Sequence, residues 1–173
     1  VEIQKSGGSS ATTRRKLASL RTFYRFMHRE DYVKTNPFFG LRGPKKKSDL
    51  PEILSITEVE TLVQTPLSIM DSMEKEGRSL APVKQYQFLR DAAILETLYS
   101  TGARVSELSG MKGKDLDLLS GVVLVRGKGK KERLAPIGGA AYRSLKRMLA
   151  KDGQIWGRSE KDRECAVFRN LRG

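Results

Sequence analysis

Few sequence features restrict a fold as sharply as a glycine set between two helical patterns. Here it is Gly102, within Ser100-Thr-Gly-Ala-Arg-Val-Ser-Glu-Leu108. Before it, Leu89, Ala92, Ala93, Leu95, Leu98 and Tyr99 recur at helical spacing and predict a buried helix. Glycine enters left-handed backbone without a Cβ penalty, so Gly102 is the stop. Val105, Leu108 and Met111 then share one face of a second helix. Arg104 is thereby predicted in the first turn of that helix, where a cation opposes the dipole at a cost of about 0.3–1 kcal/mol. Two readings account for the placement. Either an anion arrives, because helix N-termini and guanidinium forks both favour phosphate, or Arg104 pairs with Glu107 one turn on.

Charge bears on the choice. The 173 residues carry a net +13, and it is unevenly spread. Residues 1–50 hold 12 basic and 4 acidic side chains, residues 51–100 hold 4 and 8, and residues 101–150 hold 11 and 4. Basic blocks flanking an acidic one suit surfaces that meet a polyanion. No apolar run approaches membrane-spanning length. One cysteine, Cys165, excludes an internal disulfide and fits a reducing cytoplasm. The chain opens on Val1 without a leader pattern and is expected to be a piece of a longer cytoplasmic protein.

Along the chain, Ser9 or Ser10 caps a helix running to about Arg29. Leu17, Leu20, Tyr24 and Met27 form its apolar stripe, and Arg14, Arg21 and Arg25 form an adjoining guanidinium row that suits phosphate contact. Asn36-Pro37 and Gly40 to Pro44 are loop, and Lys45-Lys46-Lys47 begins a basic linker bounded by Pro51. Ser55-Ile-Thr-Glu58 is a capping box opening a helix with Val59, Leu62 and Val63 inward, which Pro66 is expected to end. Ser68 to Lys84, with Gly77 and Pro82, is expected to be a surface excursion before the buried helix resumes near Gln87. After Met111 the period changes. Leu116 to Leu118, Val122 to Val125 and Leu134 to Ile137 predict a small antiparallel sheet, with Lys128 at the tip of a glycine-broken basic hairpin. Tyr142, Leu145, Met148 and Leu149 predict a further helix, and Cys165 to Phe168 a short strand.

Several chemistries are excluded. The Gly127-Lys-Gly-Lys-Lys-Glu run lacks P-loop spacing, and no His/Cys/Asp set has metal-ligand spacing, so no metal or cofactor is expected. His28, the lone histidine, has no plausible nucleophile partner. What remains is an arginine at a helix start and a lysine on a hairpin.

Thr101-Gly-Ala-Arg-Val-Ser-Glu-Leu108 followed by Gly127-Lys-Gly-Lys-Lys-Glu-Arg-Leu-Ala-Pro136 resembles the tyrosine recombinases, specifically the bacterial Xer group. Leu20-Arg-Thr-Phe-Tyr-Arg-Phe26 with Asn36-Pro37 resembles the end of that family's core-binding domain, and Leu54-Ser-Ile-Thr-Glu-Val-Glu60 the start of its catalytic domain. The resemblance covers most of the chain apart from residues 68–84. It implies an α+β, mainly α fold: residues 1–44 as the end of a helical, SAM-like core-binding domain, 45–51 as linker, and 52–173 as the first part of a catalytic domain with a small antiparallel sheet.

By the same resemblance, Arg104 grips the scissile phosphate, Lys128 protonates the leaving 5′ oxygen and Glu107 supports the site. Double-stranded DNA is the implied partner, bound by a homo- or hetero-tetramer when the protein is intact. Arg14, Arg21, Arg25, Lys45, Lys46, Lys47, Lys130 and Lys131 are the expected DNA contacts. The implied role is chromosome dimer resolution, with phage or mobile-element integration and a non-catalytic DNA-binding module as alternatives. The family pattern also requires His-x-x-Arg, a further His or Trp and a C-terminal tyrosine nucleophile. No His-x-x-Arg follows Arg133, and Tyr142, the last tyrosine, has a core-like position and is not taken as the nucleophile. Taken alone, the polypeptide is expected to bind DNA weakly and cut nothing.

Overall fold

A computed structural model describes residues 9–44, 53–127, 129, 131–157 and 162–171. The expected leading loop, the Lys45-Lys46-Lys47 linker, Lys128 and Lys130 lie outside the described residues. The chain divides into two compact units, Val1–Ile53 and Leu54–Gly173.

The first unit is built on α1 (Ser10–Arg29), capped by Ser9, whose hydroxyl oxygen accepts the Thr12 amide at 3.2 Å. Leu17, Leu20, Tyr24 and Met27 are half-buried along one stripe, and none of the helix is fully buried. The following loop returns over it. The Phe38 ring lies 5.0 Å from that of Tyr24, and a Cβ on Gly43 would stand 3.2 Å from Leu17 Cδ2.

In the second unit the expected capping box opens α2 (Ile56–Lys75), with Ser55 and Glu58 satisfying each other's amides. Pro66 does not end it. Proline forfeits one backbone hydrogen bond and strains the preceding turn by about 3 kcal/mol. Beyond it, however, Met70 is buried and Leu67 and Met73 pack on the core, and this burial offsets the loss. The surface excursion is therefore mostly helix. It turns at Gly77, and Pro82 occupies the first position of α3 (Pro82–Thr101), well before Gln87. Leu62, expected inward, is exposed.

Helix α3 is the centre of the unit. Tyr86, Phe88, Leu89, Ala92, Ala93 and Thr97 are buried along it, and α2 and the later helix α5 (Gly139–Trp156) pack against it. Its apolar positions run most of the way round, as a helix contacted from several sides requires. Thr97 satisfies its buried hydroxyl on the Ala93 carbonyl at 2.6 Å. Tyr99, predicted inward, is exposed just ahead of Gly102, which is left-handed (φ 58°, ψ 27°), and the chain returns to the core at Ala103.

The sheet is antiparallel in sequence order: β1 (Leu116–Asp117), β2 (Val122–Arg126) and β3 (Glu132–Pro136). Val123 and Val125 are buried on one face, opposite Ala135 and Arg133 in register. Helix α5 (Gly139–Trp156) buries Ala141, Leu145 and Met148. The expected strand at Cys165–Phe168 reduces to a single bridge, Lys112 to Ala166. Its partner segment turns straight into a 3-10 helix at Gly113–Asp115, so no extended ladder is on offer. Three amides, those of Gly113, Lys114 and Val167, still tie the two segments together, and Val167 is wholly buried. The architecture is α+β and mainly helical with one small antiparallel sheet, as the family resemblance implies.

Candidate active site

The bend at Gly102 delivers Arg104 to α4 (Val105–Ser109) as its cap residue, with extended backbone (φ −72°, ψ 154°). It is not in the first helical turn, as the spacing suggested. The charge conflict at the helix start is met instead by the Glu107 carboxylate of the first turn. In so short a helix only Leu108 of the apolar pair is buried, while Val105 points outward.

Glu107 reaches back across the turn. Its Oε2 accepts the Arg104 amide at 2.9 Å and its Oε1 accepts Arg104 Nη1 at 2.8 Å. The pairing reading of Arg104 is therefore met, but it uses one corner of the fork. The Arg104 side chain is 78% exposed while that of Glu107 is 5% exposed. Among the described residues no acceptor lies on Arg104 Nε or Nη2. The carboxylate is a buried anchor, and the guanidinium it holds faces solvent.

A second cation stands behind the pair. Arg133 Nη2 donates to the Gly102 carbonyl at 3.1 Å and lies 3.6 Å from Glu107 Oε2. Gly127 closes the other side, where a Cβ would sit 3.1 Å from Glu107 Oε1. The base of the β2–β3 hairpin is thus seated directly on the Arg104–Glu107 pair. Arg126 pins the same base outward, to Asp115 through Nη1 and to Glu132 through Nε. Lys128 is outside the described residues, and Lys131 is exposed just past it. In the first unit Arg14 and Arg25 are exposed and Arg21 is half-buried. Arg21, Arg25, His28 and Lys34 line one shallow hollow with Phe39.

Arg133 and Gly127 were missed by sequence reasoning, although a signal existed. Side chains alternate across a strand, so Arg133 shares the inward face of Ala135, and Gly127 continues the face of Val123 and Val125. A charge at an inward strand position marks a buried partner, here Glu107.

The hydrogen bond from the Arg104 amide, then that from its guanidinium, holds the Glu107 carboxyl below its ordinary value of 4.5, with the Arg133 charge adding the least. A depressed folded pKa means the unfolded state takes up the proton first. Its stabilising contribution is therefore complete above about pH 4.5 and is lost as pH falls through the lower folded value. Melting temperatures from pH 7 to 3 are expected to fall more steeply in the native protein than in Glu107→Gln, with the two curves converging at the acid end.

The model of the phage integrase family matches residues 64–173, well over half of the chain. The chain belongs to the phage integrase family, the tyrosine recombinases. Among curated members of this family, tyrosine recombinase XerC of Thermodesulfovibrio yellowstonii is 41% identical over 144 residues, 83% of this chain and 43% of that protein. XerC of Bacillus pumilus is 38% identical over 175 residues, covering 100% of this chain and 52% of that protein. The chain spans about half the length of the curated relatives it matches. Recombinases of the family also share its fold. The Tn1549 transposon integrase in complex with transposon right end DNA superposes with a TM-score of 0.69 at 19% identity, over 99% of this chain and 55% of that one. XerH bound to palindromic difH substrate gives 0.64 at 21%, over 99% and 45%.

Proposed function

We propose that this chain is the DNA-gripping part of a site-specific recombinase that cuts and rejoins duplex DNA through a 3′-phosphotyrosyl intermediate. The observation that carries the proposal is the Arg104 guanidinium, held at one corner by a buried carboxylate and otherwise open to solvent. Phosphoryl transfer needs fixed cations where negative charge develops, together with an acid for the leaving oxygen. Arg104 takes the non-bridging oxygens of the scissile phosphate, and Glu107 fixes its angle. A tyrosine hydroxyl loses its proton to solvent as its oxygen bonds to phosphorus, the bond to the 5′ oxygen breaks, and Lys128 gives that oxygen a proton. No residue of this chain is assigned as the nucleophile.

In this proposal the first unit is the end of the core-binding domain and the second the opening of the catalytic domain. Arg14, Arg21, Arg25, Lys45, Lys46, Lys47, Lys130 and Lys131 hold backbone phosphates of double-stranded DNA within a tetramer. The relatives named XerC support chromosome dimer resolution as the biological role, and the DNA-bound Tn1549 integrase and XerH support the partner.

The test exchanges this chain into the Thermodesulfovibrio yellowstonii XerC in place of the segment it matches. The chimera is offered that recombinase's own site carrying a nick beside the scissile bond. A covalent protein–DNA adduct is expected. A chimera that binds the duplex and never forms the adduct would favour the non-catalytic binding module.

A further inference from the structure

We infer that Arg133 is a positioning residue, the tie that fixes the base of the β2–β3 hairpin against the Arg104–Glu107 pair. The inference rests on the catalytic reading of Arg104 and extends it to a residue that touches no reacting atom.

Three observations converge. Arg133 shares the face of buried Ala135 on β3, opposite Val125 in register, and its half-exposed side chain reaches Glu107 of α4 and the Gly102 carbonyl. Its Nη2 donates to the Gly102 carbonyl at 3.1 Å and forms an ion pair with Glu107 Oε2 at 3.6 Å. Gly127, at the other root of the hairpin, comes so close to Glu107 Oε1 that a Cβ would stand 3.1 Å away. Hairpin, bend and carboxylate therefore meet at one point, and Arg133 is the side chain common to all three.

The charges favour this arrangement. The Gly102 carbonyl ends α3, the negative pole of a 20-residue helix, where a cation is welcome. Glu107 offers one negative charge to two guanidiniums. Without Arg133, Glu107 keeps Arg104 but loses the one side-chain polar tie, among the described residues, between that pair and the hairpin. Lysine in its place keeps the charge, but as a point on a flexible stem it lacks the rigid guanidinium plane that holds the nitrogen at one angle between carbonyl and carboxylate.

The test uses the 173-residue chain and the Nε–Hε NMR signals of its arginines, with a short DNA duplex as probe. In the free chain, Arg133→Ala is expected to shift and broaden the Arg104 signal, Arg133→Lys to do so about half as much, and Arg143→Ala, on α5, to leave it in place. On titration with duplex, Arg133→Ala is expected to cut the DNA-induced shift of Arg104 by half or more while overall affinity by anisotropy stays within twofold. An Arg104 signal unchanged by Arg133→Ala overturns the inference, as does a loss of affinity that accounts for the whole effect. The underlying reading fails separately, if duplex leaves the Arg104 signal of the unsubstituted chain unmoved.

Discussion

Replacing Arg104 by alanine is expected to slow DNA cleavage by about 10²–10³-fold in the XerC chimera, the usual effect of deleting one preorganised donor to a developing oxyanion. The effect belongs on the chemical step. Arg104 is one of many cations that face DNA in the proposed complex, so its loss should lower the salt dependence of binding by only about one phosphate's worth. Single-turnover cleavage at saturating protein separates the two. Arg104→Lys is informative because lysine restores the charge as a point without the bidentate fork, and a variant still at least about tenfold slow would show that geometry matters beyond charge. Equal losses in binding and cleavage would instead make Arg104 an ordinary phosphate contact.

The parts of the site that sequence made legible are those with a local cause. Gly102 announces itself because only glycine enters left-handed backbone cheaply, and it is found there at φ 58°. Glu107 lies three residues from Arg104, a spacing at which side chains meet. The hairpin follows from alternation and glycine. Arg133 stayed hidden because its partners are 26 and 31 residues away, and no local pattern reports a contact across that distance. Pro66 misled for a related reason. Its penalty is local and readable, whereas the packing of Met70 and Met73 that outweighs it is tertiary. Tyr99 and Val105 keep helical periodicity on either side of the bend, yet both are exposed, while Ala103 and Leu108 take the buried positions there.

Leu145→Ala is expected to destabilise the second unit by about 2–5 kcal/mol, the range for truncating a wholly buried leucine. Leu145 is 0% exposed, on the face of α5 that packs on α3. Trp156, the only tryptophan, stands edge-to-face against Tyr86 with ring centroids 4.8 Å apart, so its fluorescence follows this unit and not the first. Urea titration should show the midpoint falling by roughly 1–2 M at unchanged slope. Lys146→Ala, one residue on but exposed, should stay within about 0.5 kcal/mol of the parent. The two variants also separate fold from chemistry. Leu145 belongs to the buried cluster that includes Leu89 and Ala93 of α3, the helix whose end is Gly102. Below the urea transition, Leu145→Ala should leave the Arg104 Nε–Hε signal where it is, and lose it only in step with Trp156 fluorescence. A signal that moves first would mean that the bend is held by core packing across α3 and α5, and that the local ties of Glu107 and Arg133 are not enough to fix it.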